Sequence, residues 1–400
     1  MTHEKAGGAV MLREVARFAG MRALAWTGDV LYVSRGYEVV RARFSEGKET
    51  AGSSTTLASR RSGRNDRDVG ASLRSGCGGN DRDIGASLRS SSGRNDGDFE
   101  SVARFDAPLW RRVTSRARLT SRLVRDGFHA LAVDASGALI GAVPGAIVTC
   151  AVGEKSFRVT HEITRGTRPL NLCTTPGGKL FWGEYFDNAA RDAVNIYVSG
   201  DAGQTWQVAY MFAKGAVRHI HNIVYDPWRD CLWILTGDYG DECRILRASV
   251  DLTEMRTVVS GNQQARAVAF IPAEDGLYFS TDTPLEQNYI CRLSDNGHIT
   301  RLAEISSSSI YGCRTRGGMF FSTMVEPSGV NRDQNVRLFH SRDGAAWSAE
   351  LAWKKDAWPM RWFQYGNAFL PAGGNTTDVI AVSTVGAQGA DGVMFLYRPE

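Results

Sequence analysis

Apolar residues in this chain come in short runs, and the same arrangement of runs returns along its length. An apolar run is followed by a turn and then by a second run with the order leucine, aromatic, apolar, small. The instances are "ALAWTGDVLYVSRG" from Ala23, "ALAVDASGALIGAV" from Ala130, "LNLCTTPGGKLFWGEY" from Leu170 and "HNIVYDPWRDCLWILTGDY" from His221. "AVAFIPAEDGLYFSTD" from Ala267, "CRTRGGMFFSTM" from Cys313 and "AFLPAGGNTTDVIAVST" from Ala368 complete the series. Runs this short, rich in β-branched and aromatic residues and bounded by Gly, Asp and Pro, predict strands joined as hairpins. Most repeats fall about 45 to 50 residues apart, the length of a four-stranded propeller blade.

Two further strands follow each hairpin. After Leu170 they are "VNIYVS" and "WQVAYMF", and after His221 they are "CRILRASV" and "MRTVVS". The last repeat has only three strands and ends in "GVMFLYRPE", while "MLREVARFAG" from Met11 resembles "ESVARFDAP" from Glu100, which closes the first repeat. The N-terminal strand is therefore expected to complete the last sheet, which removes an open sheet edge. The predicted fold is all-β: a single seven-bladed β-propeller spanning 1–400 and closed by its N-terminal strand.

Two segments break the pattern. Within 46–98, "NDRDVGASLR" at Asn65 returns as "NDRDIGASLR" at Asn80 and "NDGDF" starts at Asn95, a period of 15. This Ser/Gly/Arg/Asp stretch has too few apolar groups to offset ordering entropy, so a disordered, low-complexity insertion in the first blade is expected. Its interleaved Asp residues cancel most of the Arg charge, which argues against a nucleic-acid tether. In 109–127, Leu109, Val113, Leu119 and Leu123 recur at loosely helical spacing, which predicts a helical connection across one face of the ring.

Composition narrows the classes. Lys and Arg total 47 against 43 for Asp and Glu, a net +4 that calls for no nucleic-acid partner. No apolar run reaches the roughly 18 residues that span a bilayer, and the N-terminus lacks a secretory pattern. The seven cysteines (77, 150, 173, 231, 243, 291 and 313) contain no C-x-x-C pair, so buried thiols and a cytoplasmic location are expected. Oligomeric state cannot be read from the sequence.

The stretch "YVSGDAGQTW" carries Ser199, Asp201, Gly203, Thr205 and Trp206 at alternating or adjacent positions, and "SRDGAAW" repeats the theme weakly with Asp343 and Trp347. These turns resemble the Asp-box, the bacterial neuraminidase repeat of sialidase-like propellers. The resemblance implies a structural turn between the third and fourth strands of a blade. Asp201 would accept backbone N–H groups, Gly203 would supply a permissive backbone, and the tryptophans would pack between sheets. It implies no sialidase activity. The Phe-Arg-Ile-Pro segment of true sialidases is missing, the nearest string being "AFIP" at Ala269, and those enzymes have six blades.

Candidate chemistry follows from blade register. An inner strand starts at the face where the second strand ends, and ligands commonly gather there, opposite the boxes. Three successive inner strands begin with Arg168, Arg218 and Arg266, and the matching second strands end in Glu184, Asp238 and Asp282, with Tyr185 and Tyr239 following two of these. A guanidinium cluster suits a carboxylate, sulfate or phosphate, and paired carboxylates suit acid–base work at a glycosidic bond. Structural pairing of each Arg with a neighbouring carboxylate is the other reading.

"RHIHN" places His219 and His221 two apart on a strand, hence on one side, where they could supply a base or bind a metal with Asp238, Asp241 or Glu242. No cofactor is required, and a metal at His219 and His221 is the one cofactor the residues admit. His129, Tyr311 with Arg314, and Gln364, Tyr365 and Asn367 are expected at the same level. The functional expectation is recognition of an anionic sugar at the channel mouth. Arg168, Arg218, Arg266, Tyr185, Tyr239, Asp282, Tyr311 and Arg314 would bind it. Glu184, Asp238, His219 and His221 would transfer protons if the ligand is turned over by glycoside hydrolase or polysaccharide lyase chemistry. The alternative is a non-catalytic scaffold binding a protein or another small polar ligand.

Overall fold

The computed structural model describes residues 11–44 and 99–400. The insertion expected at 46–98, and Cys77 with it, lies outside the described residues. The regular structure of the rest is almost entirely strand, in five separate four-stranded sheets and one of nine strands.

Three of the four-stranded sheets occupy 173–212, 220–260 and 267–305, and a fourth occupies 309–354, each in sequence order and antiparallel. In the sheet of 220–260, for example, Ile220–Asp226 pairs with Cys231–Thr236, then Arg244–Ala248, then Met255–Ser260. The nine-stranded sheet contains two such runs, 22–105 and 130–162. They join where Glu100–Phe105 meets Ser156–Glu162 in parallel, and Ala372–Asn375 pairs in parallel with Arg22–Gly28 at the far edge. The fifth four-stranded sheet orders Asn367–Phe369, Ile380–Val385, Val393–Pro399 and Leu12–Ala19, so the N-terminal strand does complete the last sheet, from Leu12 opposite Pro399 to Ala19 opposite Val393.

Burial explains the apolar grammar. Second strands such as Cys231–Thr236, Gly276–Thr281 and Gly318–Thr323 are buried at every position, because neighbouring sheets cover both of their faces. Fourth strands such as Gln207–Phe212 and Met255–Ser260 are half exposed, because they lie at the outer edge of their sheets.

The core is a succession of clusters between neighbouring sheets. Phe181 and Ile196 meet Ile223 and Ile234, Trp233 and Leu235 meet Phe270 and Phe279, and Tyr278 meets Met319 and Phe321. Phe320 and Leu338 then meet Ile380 and Phe395. Trp26 and Leu31 meet Ala381 and Met394, so the last sheet packs against the first. Leu24 and Tyr32 with Phe128 and Val148, then Ile140 with Leu180 and Trp182, complete the circuit.

The connection at 109–127 forms two short helices, Leu109–Thr114 and Arg118–Val124. Their leucines do not anchor them: Leu109 is 69% exposed, and Val113 and Leu123 are exposed as well. The anchor is Arg122, which is buried and donates to the Phe363 carbonyl (Nε, 2.9 Å), to Asp356 (2.6 Å) and to Asp391 (3.2 Å). A guanidinium offers five donors in a fixed fork, so one such residue can tie a short helix to three neighbours.

The turn at 199–206 is organised by two side chains. Ser199 Oγ accepts from Gly203 N (2.9 Å), while Asp201 accepts from Gln204 N (3.0 Å), Thr205 N (2.9 Å) and the Thr205 hydroxyl (2.6 Å). Trp206 packs with Ile140, Leu180 and Trp182 between two sheets. The turn at 341–347 repeats this, with Asp343 accepting from Ala345 N (2.8 Å) and Ala346 N (3.1 Å), and Trp347 packing on Phe321.

The six described cysteines are free and buried. Burial pushes the Cys173, Cys243, Cys291 and Cys313 thiols up to about 12. Among the described residues, no helix is long and apolar enough to cross a membrane.

Candidate functional site

A cavity of about 970 Å³ opens where the inner strands begin. Every sheet contributes to its wall: Arg22, His129, Arg168, His221, Arg266, Tyr311 and Asn367 all line it. The helical connection borders it through Arg118, Ser121 and Arg125. Residues of the turns at 199–206 and 341–347 take no part, since they lie at the opposite ends of their strands.

One side of the wall is cationic and lacks carboxylate partners. Arg168 makes no hydrogen bond or ion pair among the described residues, and burial, with the neighbouring Arg22 and Arg125, brings its guanidinium down to about 10. Arg22 donates to the His129 carbonyl (3.3 Å), interacts with the Tyr311 hydroxyl, lies 3.8 Å from the Phe369 ring centroid and leaves its Nε–H without a partner. His129 binds the Arg125 carbonyl through Nε2 (2.9 Å), and burial among three arginines holds it well below the usual imidazole range.

The facing side is acidic. Burial pushes Asp282 up to about 7 despite Arg266 at 3.5 Å, and burial raises Glu326 as well. Tyr185, also on the wall, is pushed by burial up to about 12.

Behind Arg266 lies the third group. Asp238 faces His219 Nε2 at 3.5 Å, His221 Nε2 at 3.4 Å, Arg218 at 3.2 Å and Arg266 at 3.3 Å. Burial opposes its ionisation, yet the close approach of His219 and His221 holds the carboxyl far below the usual range. The imidazoles stand Nε2 to Nε2 at 3.1 Å. The Nδ1 atoms bond the backbone carbonyls of Phe186 (3.1 Å) and Ala267 (3.0 Å). Tyr185 lies tilted against His219 with ring centroids 4.3 Å apart.

The expected site is thus divided. Asp238, Asp282, His219, His221, Arg218 and Arg266 do come together, but Arg218 does not line the cavity and also pairs with Asp187. Arg168 stands with Arg22 rather than with the other two arginines. Glu184 does not join the expected acids: it is buried, paired with both arms of Arg165, and accepts from Asn195 N (2.7 Å). Asp241 and Glu242 add nothing to the histidines, because Asp241 is exposed and Glu242 pairs with Arg191 (2.6 Å).

Arg314 is not at the level of Tyr311. Three residues along a strand is about 10 Å, and its guanidinium lies 5.9 Å from the Trp228 ring, in the turn between the first two strands of the sheet of 220–260. Tyr239 is exposed beside Arg266, while Gln364, Tyr365 and Asn367 line the cavity as expected.

Three wall residues escaped the sequence reading. Arg22 opens the first inner strand as Arg168 opens the third, and Glu326 follows its second strand as Asp282 does, so the same register rule reaches both. Arg125, just past the second helix in a left-handed conformation (φ 52°), carries no such signal.

No protein-family model matches the chain, and no curated protein does. Among solved structures, the WD40 beta propeller domain of Doa1 aligns with a TM-score of 0.52 at 10% identity, covering 98% of each chain. A chain from the Mitotic Checkpoint Complex aligns with a TM-score of 0.51 at 8% identity, covering 100% of this chain and 99% of that one. The fold is a β-propeller. At these identities the likeness reaches the fold alone, and the propeller's function rests on its own residues.

Proposed function

We propose that this is a seven-bladed propeller with sialidase-like Asp-box turns that binds an anionic saccharide in its central cavity. The blade count takes the two runs of the nine-stranded sheet separately, and the turns at 199–206 and 341–347 are read as the boxes. The observation that carries the ligand class is the pair Arg22 and Arg168, which face the cavity with no carboxylate partner. Buried guanidinium groups are costly unless paired, and an anion with planar or tetrahedral oxygens satisfies them. Tyr185, Tyr311 and Tyr365 on the same wall offer hydroxyls and ring faces suited to a sugar's polar and C–H surfaces. The reading is one of binding, since neither Glu184, paired with Arg165, nor Asp238, faced by Arg218 and Arg266, lines the cavity.

A second reading, a docking scaffold for protein, draws on the exposed Leu109, Trp110, Val113 and Trp362 of the short helices. Calorimetric titration with uronate-, sulfate- and sialate-bearing oligosaccharides, against neutral counterparts, separates the two. The saccharide reading expects binding of an acidic member only, weakened at least about tenfold by Arg168→Ala or Arg22→Ala. Failure of every acidic saccharide, or equal binding by both variants, would overturn it.

A further inference from the structure

We propose that His219, His221 and Asp238 form a binding site for one first-row divalent metal ion, with zinc or cobalt as the fitting type. The argument starts from protons. Backbone carbonyls only accept hydrogen bonds, so the Nδ1 atoms that touch the Phe186 and Ala267 carbonyls carry the ring hydrogens. In that tautomer both Nε2 atoms present lone pairs. These lone pairs face each other at 3.1 Å and face the Asp238 oxygens at 3.4 and 3.5 Å, with all three residues buried. Two ring nitrogens and a carboxylate gathered in one buried place make a set of acceptors suited to a cation.

The dimensions select among cations. A tetrahedral ion with bonds of about 2.0–2.1 Å to nitrogen and oxygen has ligand-to-ligand edges of roughly 3.3–3.4 Å. The two Nε2 atoms stand 3.1 Å apart, and the two Asp238 oxygens lie one against each imidazole, Oδ1 at 3.4 Å from His221 and Oδ2 at 3.5 Å from His219, contacts of that size. One atom from each residue falls within 4.8 Å of the others, which a small ion can draw together. The next layer is also that of a metal centre: each imidazole is oriented by a carbonyl, and the carboxylate is braced by Arg218 at 3.2 Å and Arg266 at 3.3 Å. Those arginines have further carboxylates in Asp187 and Asp282, so the charge of Asp238 is not consumed by them. Three protein ligands leave a fourth position for water or a ligand atom. His221 borders the cavity, which puts the centre at its wall.

The test uses the untagged full chain, stripped with chelator and titrated with CoCl2 and ZnCl2. The expected result is one Co2+ per chain with the intense visible bands of a tetrahedral N/O site, displaced by Zn2+, and a rise in the unfolding temperature at stoichiometric Zn2+. His219→Ala and His221→Ala should each weaken binding at least roughly 100-fold, and the isosteric Asp238→Asn roughly 10-fold or more. His298→Ala, in an exposed turn, should change nothing. If the wild-type chain takes up no Co2+ at micromolar concentrations, or if the double variant His219→Ala/His221→Ala binds it as the wild type does, the site is refuted. The wild-type titration decides this even if the histidine variants do not fold. Arg168→Ala should leave the metal stoichiometry unchanged, so failure here and failure of the saccharide reading are separate outcomes.

Discussion

Arg168 is held in the cavity at a cost to the fold, because burial and the neighbouring Arg22 and Arg125 work against its charge. Its replacement by Met, similar in length and uncharged, is expected to raise stability by about 1–3 kcal/mol while abolishing acidic-saccharide binding. Thermal unfolding and calorimetry on the same sample check both halves. Asp282 gives the complementary case. With its carboxyl raised by burial to about 7 in the folded chain and near 4 when unfolded, the folded state binds the extra proton between those pH values. Its contribution to stability therefore falls as pH rises from about 4 to 7. Relative to wild type, Asp282→Asn should be increasingly stabilised from pH 5 to pH 8, by up to a few kcal/mol. Anion affinity should rise in the wild type as pH drops from 8 to 6, because Asp282 sheds negative charge, and Asp282→Asn should flatten that profile. A variant whose unfolding temperature tracks wild type at every pH would contradict the assignment.

At the scale of the element, the turn at 199–206 shows how a few residues fix a corner. Gly203 has φ 80°, and a Cβ there would sit 2.8 Å from Ile140 Cγ1 and 2.9 Å from Thr149 Oγ1 of the preceding sheet. Gly344 repeats this against the Tyr278 hydroxyl, where a Cβ would lie at 2.5 Å. Gly203→Ala is expected to cost at least about 2 kcal/mol, from a left-handed backbone and a clash with packed neighbours, and Asp201→Ala about 1–2 kcal/mol from its lost turn bonds. Denaturant unfolding measures both, and saccharide binding by the folded fraction should be unchanged because the turn is remote from the cavity.

These turns were legible in the sequence because their residues act within eight positions of one another. The strands were legible too, since second strands covered on both faces must read as apolar runs. The helical connection was legible only as a helix. Its anchor is Arg122, whose partners Phe363, Asp356 and Asp391 lie more than 200 residues away, and no local pattern announces a bond of that separation.

At the scale of the molecule, the ring is closed by pairing its two ends. Ala16 and Phe18 are buried against the first sheet and its neighbour, and Leu12–Ala19 is the outermost strand of the last sheet. Removing residues 1–19 should expose a sheet edge and part of that core, with a large fall in unfolding temperature or failure to fold, read by circular dichroism. Blade register told which residues reach the cavity face. It could not tell which arginine meets which carboxylate, and that choice produced the misplacements: Glu184 was taken by Arg165, and Arg168 stands with Arg22 on the cationic side of the wall.

The proposed ligand is an anion held between Arg22 and Arg168 in the cavity. The most direct test is calorimetric titration of the best-binding acidic oligosaccharide into wild type and into the double variant Arg22→Gln/Arg168→Gln. The expected result is binding to the wild type and at least about a 100-fold loss in the variant, with folding intact. Equal affinity in the two proteins would contradict it.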